Sequence, residues 1–163
     1  MGYASIPAPA IPAIRVGVGP RTQNFALINQ QIRPKICSGE MLQAINRTRG
    51  TVLCARLEDA GGLTGQSRGL LGRDGIEPDQ GLLFVRHRFE PFMWMHMFFM
   101  RFAIDIVFLD RLDRVVYISH QLKPWRTSPI LFKACKALEL AAGAAAVSNT
   151  AVGDEISFER PRC

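Results

Sequence analysis

Residues 92–110 read FMWMHMFFMRFAIDIVFLD, and no other stretch narrows the possible folds as much. Methionines and aromatic rings surround His96, and Arg101 and Asp105 follow at once. The run is too apolar for a solvated loop and falls well short of the ~20 apolar residues that a membrane-spanning helix needs. It must be buried in protein or presented to a partner. If residues 93–105 are extended, side chains alternate between faces, so His96, Phe98, Met100 and Phe102 share one side and Met97, Phe99, Arg101 and Asp105 the other. Both sides are apolar near the centre, which predicts an interior strand covered on both faces. Arg101 and Asp105 then share a face about 13 Å apart along a straight strand, so a bulge or a neighbouring strand must bring them together. A buried arginine needs a partner, because stranding a charge costs several kcal/mol.

The rest of the chain carries strand and turn signals. Residues 51–57 (TVLCARL) alternate with β-branched positions, and 82–86 reads as a further strand. Residues 104–109 and 114–119 flank DRLD, a short turn rich in Asp, and this pairing predicts a hairpin. Residues 134–140 alternate imperfectly, 141–147 are alanine-rich enough for a helical turn or two, and GDEISF supplies a closing strand. SRGLLGR at 67–73 has room for a helical turn or two before Gly72. Six or so short strands with one or two short helices predict a mainly β domain with an α+β flavour, a mostly antiparallel barrel or sandwich.

At 163 residues the chain can bury roughly 70% of its unfolded surface in one domain. Residues 1–47 read as an extended, Pro/Ala-rich basic arm and 48–163 as the globular domain. Of the net charge of +6, most sits at one end: residues 1–50 hold six bases against Glu40 alone, and the remainder holds fourteen against thirteen acids. Such an arm suits an acidic partner surface better than nucleic acid, because its bases are spread out and only Tyr3 and Phe25 could stack. The amino terminus lacks the charged region of a secretory signal, and its apolar content is broken by Pro7, Pro9 and Pro12, so a cytoplasmic protein without a transmembrane segment is expected. Cys37, Cys54, Cys135 and Cys163 form no CxxC pair, so no metal site is signalled. Cys54 and Cys135 read as small hydrophobes within strands.

Five fragments, GLLGRDGIEPDQGLLF, HMFFMRFAIDIVFLDRLDRVVYI, LKPWRTSP, KALELAAG and VGDEISF, occur in an order and spacing that resembles the uncharacterised family called domain of unknown function 192. The resemblance covers about residues 49–158. One branch of that family carries H-T-F-x-M-R-F-P-I-D-x-V-F-L-D, which aligns with His96 through Asp110, with Met97 in place of threonine and Ala103 in place of proline. The M-W-M motif of a second branch lies two residues out of register with Met93-Trp94-Met95. The resemblance implies a small, mainly β domain, exported or cytoplasmic, and brings no agreed activity or cofactor.

Candidate binding residues are Trp94, His96, Phe98, Arg101, Asp105, Trp125, Arg126, Arg68 and Arg73; no catalytic set, cofactor or metal ligand emerges. His96 has no neighbouring Ser, Thr or Cys to activate, and with His87 and His120 it makes no ligand spacing. Trp125 follows the stiffening Pro124 and stands between Lys123 and Arg126, an arrangement binding surfaces favour. Arg68, Arg73 and Arg126, if they converge, make an anion-attracting rim. The leading expectation is a non-catalytic binding or accessory module that packs on a partner protein or a second copy of itself. Its alternatives are a small enzyme or carbohydrate-binding domain with a cleft at His96, Arg101, Asp105 and Trp125, and nucleic-acid binding by the arm.

Overall fold

The computed structural model describes residues 42–60, 69–87 and 89–160. Most of the arm, and with it Arg68, Cys37 and Cys163, lies outside the described residues. The chain is mainly β: β1 (Leu42–Asn46), β2 (Thr51–Asp59), β3 (Gln80–Val85), β4 (Ile104–Leu109), β5 (Val115–Leu122), β6 (Lys136–Ala141), the one-turn helix α1 (Ala144–Val147) and β7 (Ile156–Glu159). They form one curled sheet in the order β5-β4-β6-β3-β2-β1-β7. Every neighbouring pair is antiparallel except β2 and β3. The two edge strands approach at one end, where Val115 N–H donates to Asp154 O at 2.8 Å and Ile156 N–H to Asp113 O at 2.9 Å. That contact curls the sheet into a half-barrel.

The expected hairpin is β4–β5. Its turn is held by Asp110, whose Oδ1 accepts the N–H groups of Leu112 at 2.8 Å and Arg114 at 3.0 Å. The closing strand and the alanine-rich helical turn also form, as β7 and α1. Of the expected helical stretch 67–73, residues 69–72 adopt turns rather than a helix, in keeping with positive φ at Gly69 and Gly72, and 67–68 lie outside the described residues. The sheet begins earlier than the expected domain boundary, because β1 lies inside the stretch assigned to the arm and pairs with both β2 and β7.

Two apolar layers cover the two faces. Leu53, Leu57, Leu83, Val107, Leu109, Leu138, Leu140 and Ile156 fill the concave side with Ala144 and Ala145 of α1. Leu82, Ile104, Ile106, Phe108 and Ala137 form the other layer with Leu70, Met93, Met97 and Met100. β4 is buried at all six positions because both its faces are covered. The interior strand foreseen for residues 93–105 is therefore displaced: the doubly covered strand is 104–109, and residues 93–100 are the cover. At the centre, Gly81 permits a close approach, since a Cβ there would stand 2.8 Å from both Cys54 Sγ and Leu140 Cδ2.

Candidate functional site

Residues 93–97 leave the sheet and pair with residues 125–131 as a short antiparallel ribbon. Met93 and Leu131 exchange backbone hydrogen bonds at 3.0 and 2.9 Å, Met97 N–H donates to Arg126 O at 2.8 Å, and Trp125 N–H to Met97 O at 2.9 Å. Met95 N–H donates to Ser128 Oγ at 2.9 Å. Period-2 alternation puts Met93 and Met97 into the core and leaves Trp94, His96 and Phe98 outside. The alternation ends at Phe99, where φ is 61° and Met100 N–H reaches back to Met97 O at 3.3 Å. That turn resets the phase and buries Met100 as well.

The outward side chains form a continuous aromatic ledge. His96 stacks on Phe98 with centroids 5.0 Å apart and lies 5.6 Å from Trp94. Phe98 is 6.4 Å from Trp125, and Trp125 meets Phe99 edge-on at 5.0 Å. Phe99 is 71% and Trp125 60% exposed, and Ile130 and Phe132 extend the same exposed apolar ribbon.

Beside the ribbon lies a cavity of about 610 Å³, lined by Leu70, Phe84, Met93, Met95 and Met100, with Trp94, His96, His87, Arg86 and Glu90 around it and Glu139 in its wall. Glu139 comes from β6, between Leu82 of β3 and Ile106 of β4. It is 7% exposed. Burial pushes its carboxyl up to about 7, and the charge of Arg73 opposes the rise only in part. Sequence reasoning missed Glu139. The available signal was an acid inside the apolar run KALELA, which reads as an outward-facing position until both neighbouring strands are known to be covered.

The other buried acids are fully bonded. Asp105 Oδ1 accepts Gln121 N–H at 2.8 Å and Oδ2 accepts Ala145 N–H at 3.0 Å, tying the β5 bulge to the first turn of α1. Asp154 accepts from Asn46 Nδ2 at 2.9 Å, Ala151 N–H at 2.9 Å and Arg49 Nε at 3.1 Å. Burial alone would raise the Asp154 carboxyl, but the bonds from Asn46, Ala151 and Arg49 outweigh it and hold the group below its ordinary value. Burial raises the Cys54 thiol to about 12, which leaves a protonated, unreactive core residue.

The expected site residues fall into separate groups. Trp94, His96, Phe98 and Trp125 come together on the ledge. Arg101 and Asp105 do not pair. Arg101 bonds Asp74 at 2.6 Å on the open surface, and Asp105 is enclosed on the α1 side of the sheet, opposite the ribbon. A cleft shared by His96, Arg101, Asp105 and Trp125 is thereby absent. Arg73 bonds Glu58 at 3.1 Å, Arg126 is exposed on the ribbon, and no contact joins the two among the described residues. His87, rather than His120, shares a cavity with His96.

Residues 44–158 match the family model DUF192, described as "Uncharacterized ACR". The chain belongs to the DUF192 family. This DUF192 chain is 31% identical over 118 residues to a UPF0127 protein of Thermococcus sibiricus, covering 71% of this chain and 73% of the relative. Two solved structures share its fold. A protein of unknown function from Novosphingobium aromaticivorans is 24% identical with a TM-score of 0.61, covering 72% of this chain and 83% of that one. A putative transcription regulator from Sinorhizobium meliloti is 20% identical with a TM-score of 0.60, covering 75% and 98%. Among the described residues, no helix of this DUF192 domain is long and apolar enough to cross a membrane.

Proposed function

We propose that the chain is a non-catalytic binding module that packs on a partner protein through the aromatic ledge of Trp94, His96, Phe98, Phe99 and Trp125. The single observation carrying this reading is the contiguity of those exposed rings on a bonded ribbon. Single exposed apolar residues are ordinary, whereas contiguous apolar patches mark interaction surfaces, and aromatic anchors dominate their energetics. The Sinorhizobium relative's description as a transcription regulator raises nucleic acid as an occupant. Beyond residue 50, fourteen bases against thirteen acids leave little surplus positive charge for phosphates.

Sedimentation of the full chain across a concentration series, with a photo-crosslinking side chain at position 125, tests the reading. The expected result is self-association or one discrete crosslinked species, reduced by Phe98→Ser. A strict monomer with no discrete adduct overturns it.

A further inference from the structure

Glu139 differs from every other buried acid in the described fold. Asp105 and Asp154 each accept several hydrogen bonds, but no donor among the described residues bonds the Glu139 carboxyl. Among the described residues no fully enclosed side-chain oxygen lacks a partner, so the Glu139 oxygens reach the cavity beside them. A carboxylate held in apolar surroundings without a donor is unfavourable, and its flanking strand neighbours Leu82 and Ile106 have no side-chain donor to offer. The cavity is of the size that takes small organic molecules, and its lining combines apolar side chains with the titratable groups of Arg86, His87, Glu90, His96 and Glu139.

The charges around it favour a cation. Among the described residues Arg86 is the lining arginine, and three of its five N–H groups are engaged, by Pro91 O at 3.0 Å, Phe132 O at 3.3 Å and Cys135 Sγ at 3.6 Å. Arg73 is bonded to Glu58 and does not line the cavity. Glu90 adds a second carboxyl, and His87 and His96 complete the titratable lining. Phe84 and Trp94 bring aromatic rings to the lining, a residue type that attracts ammonium groups, and the methionines bring polarizable thioethers. We propose that this cavity binds an organic amine, its ammonium bonded to Glu139 and its apolar body lying among Leu70, Phe84, Met93 and Met100. The cavity adjoins the aromatic ledge and shares Trp94 and His96 with it, but its proposed ligand is held by Glu139, which is not part of the ledge.

Isothermal titration calorimetry on the full chain, with 2-phenylethylamine and its neutral counterpart 2-phenylethanol, tests this. At about pH 8 the amine should bind at least about tenfold more tightly than the alcohol, because its bond to the carboxylate is charge-assisted. Glu139→Gln, which preserves shape, should abolish that preference and leave the alcohol unaffected. At about pH 5.5 the parent's preference should shrink, because Glu139 is then protonated while the amine remains charged. Carbon-13 NMR of the parent's Glu139 carboxyl supplies a readout that no variant's folding can compromise: saturating amine should move its titration midpoint downward. Equal affinity for amine and alcohol, an unaltered preference in Glu139→Gln, an unmoved midpoint or no binding of the amine would each overturn the proposal.

Discussion

Phe99 and Trp125 meet edge to face with ring centroids 5.0 Å apart, and both hold a left-handed backbone, with φ of 61° and 63°. Bulky residues rarely occupy that region, at a cost of about 1 kcal/mol each. The Trp125 N–H bond to Met97 O and the turn from Met97 to Met100 hold the two strained residues together. Strain held at an exposed pair of rings accords with a surface shaped for contact.

This relationship gives a comparison of two substitutions at one position. Phe99→Ala loses the ring contact and keeps the unfavourable φ, whereas Phe99→Gly loses the contact and relieves it. The glycine variant should be more stable than the alanine variant by roughly 1 kcal/mol, read from urea denaturation. The same order should hold at Trp125. A glycine variant less stable than alanine at both positions would show that the strain is not there.

Asp105→Ala should destabilise the fold by about 1–3 kcal/mol, because it strands the buried N–H of Ala145 and removes the acceptor of the part-buried Gln121 N–H. Asp105→Asn keeps one acceptor and should lose less. Arg101→Ala should change stability by less than about 1 kcal/mol, since its bond to Asp74 is exposed. Equal losses at 101 and 105 would refute the separation of the two residues.

Glu139 makes stability fall as pH rises. Its folded value of about 7 lies above the ordinary carboxyl value of 4.5, so the folded state binds the extra proton between them. Below 4.5 both states are protonated and no penalty exists; it grows through that window and is complete above about 7, reaching on the order of 3 kcal/mol. Glu139→Gln should remove this slope and raise the denaturation midpoint at pH 8. Asp154 acts oppositely: its depressed value contributes stability above the ordinary aspartate value that is lost as pH falls through its lower folded value. Asp154→Asn should therefore flatten the acid limb alone.

Gly81→Ala should cost about 1–3 kcal/mol by overpacking, because the new methyl meets Cys54 Sγ and Leu140 Cδ2 at 2.8 Å. Combining it with Cys54→Ala, which removes one of the two clashing atoms, should cost less than the sum of the single changes. Strict additivity in thermal melts would argue against that contact.

The amino-acid sequence by itself determined what depends on near neighbours. Alternation marked β2, and the Asp-rich turn between two β-branched runs marked the β4–β5 hairpin, because Asp110 bonds N–H groups only two and four residues away. Composition placed a greasy, ring-rich segment at residues 92–100 and required it to be covered or to cover. Only the tertiary structure decided which. Burial of β4 on both faces needs α1 from one side and the methionine ribbon from the other, and the partner of Arg101 is Asp74, 27 positions away. Glu139 drew no attention in the sequence because a strand's own pattern cannot show what lies over it. Whether a charge is solvated or enclosed is settled by elements distant in sequence, and that distance is why the most unusual residue of the fold was invisible until the chain was folded.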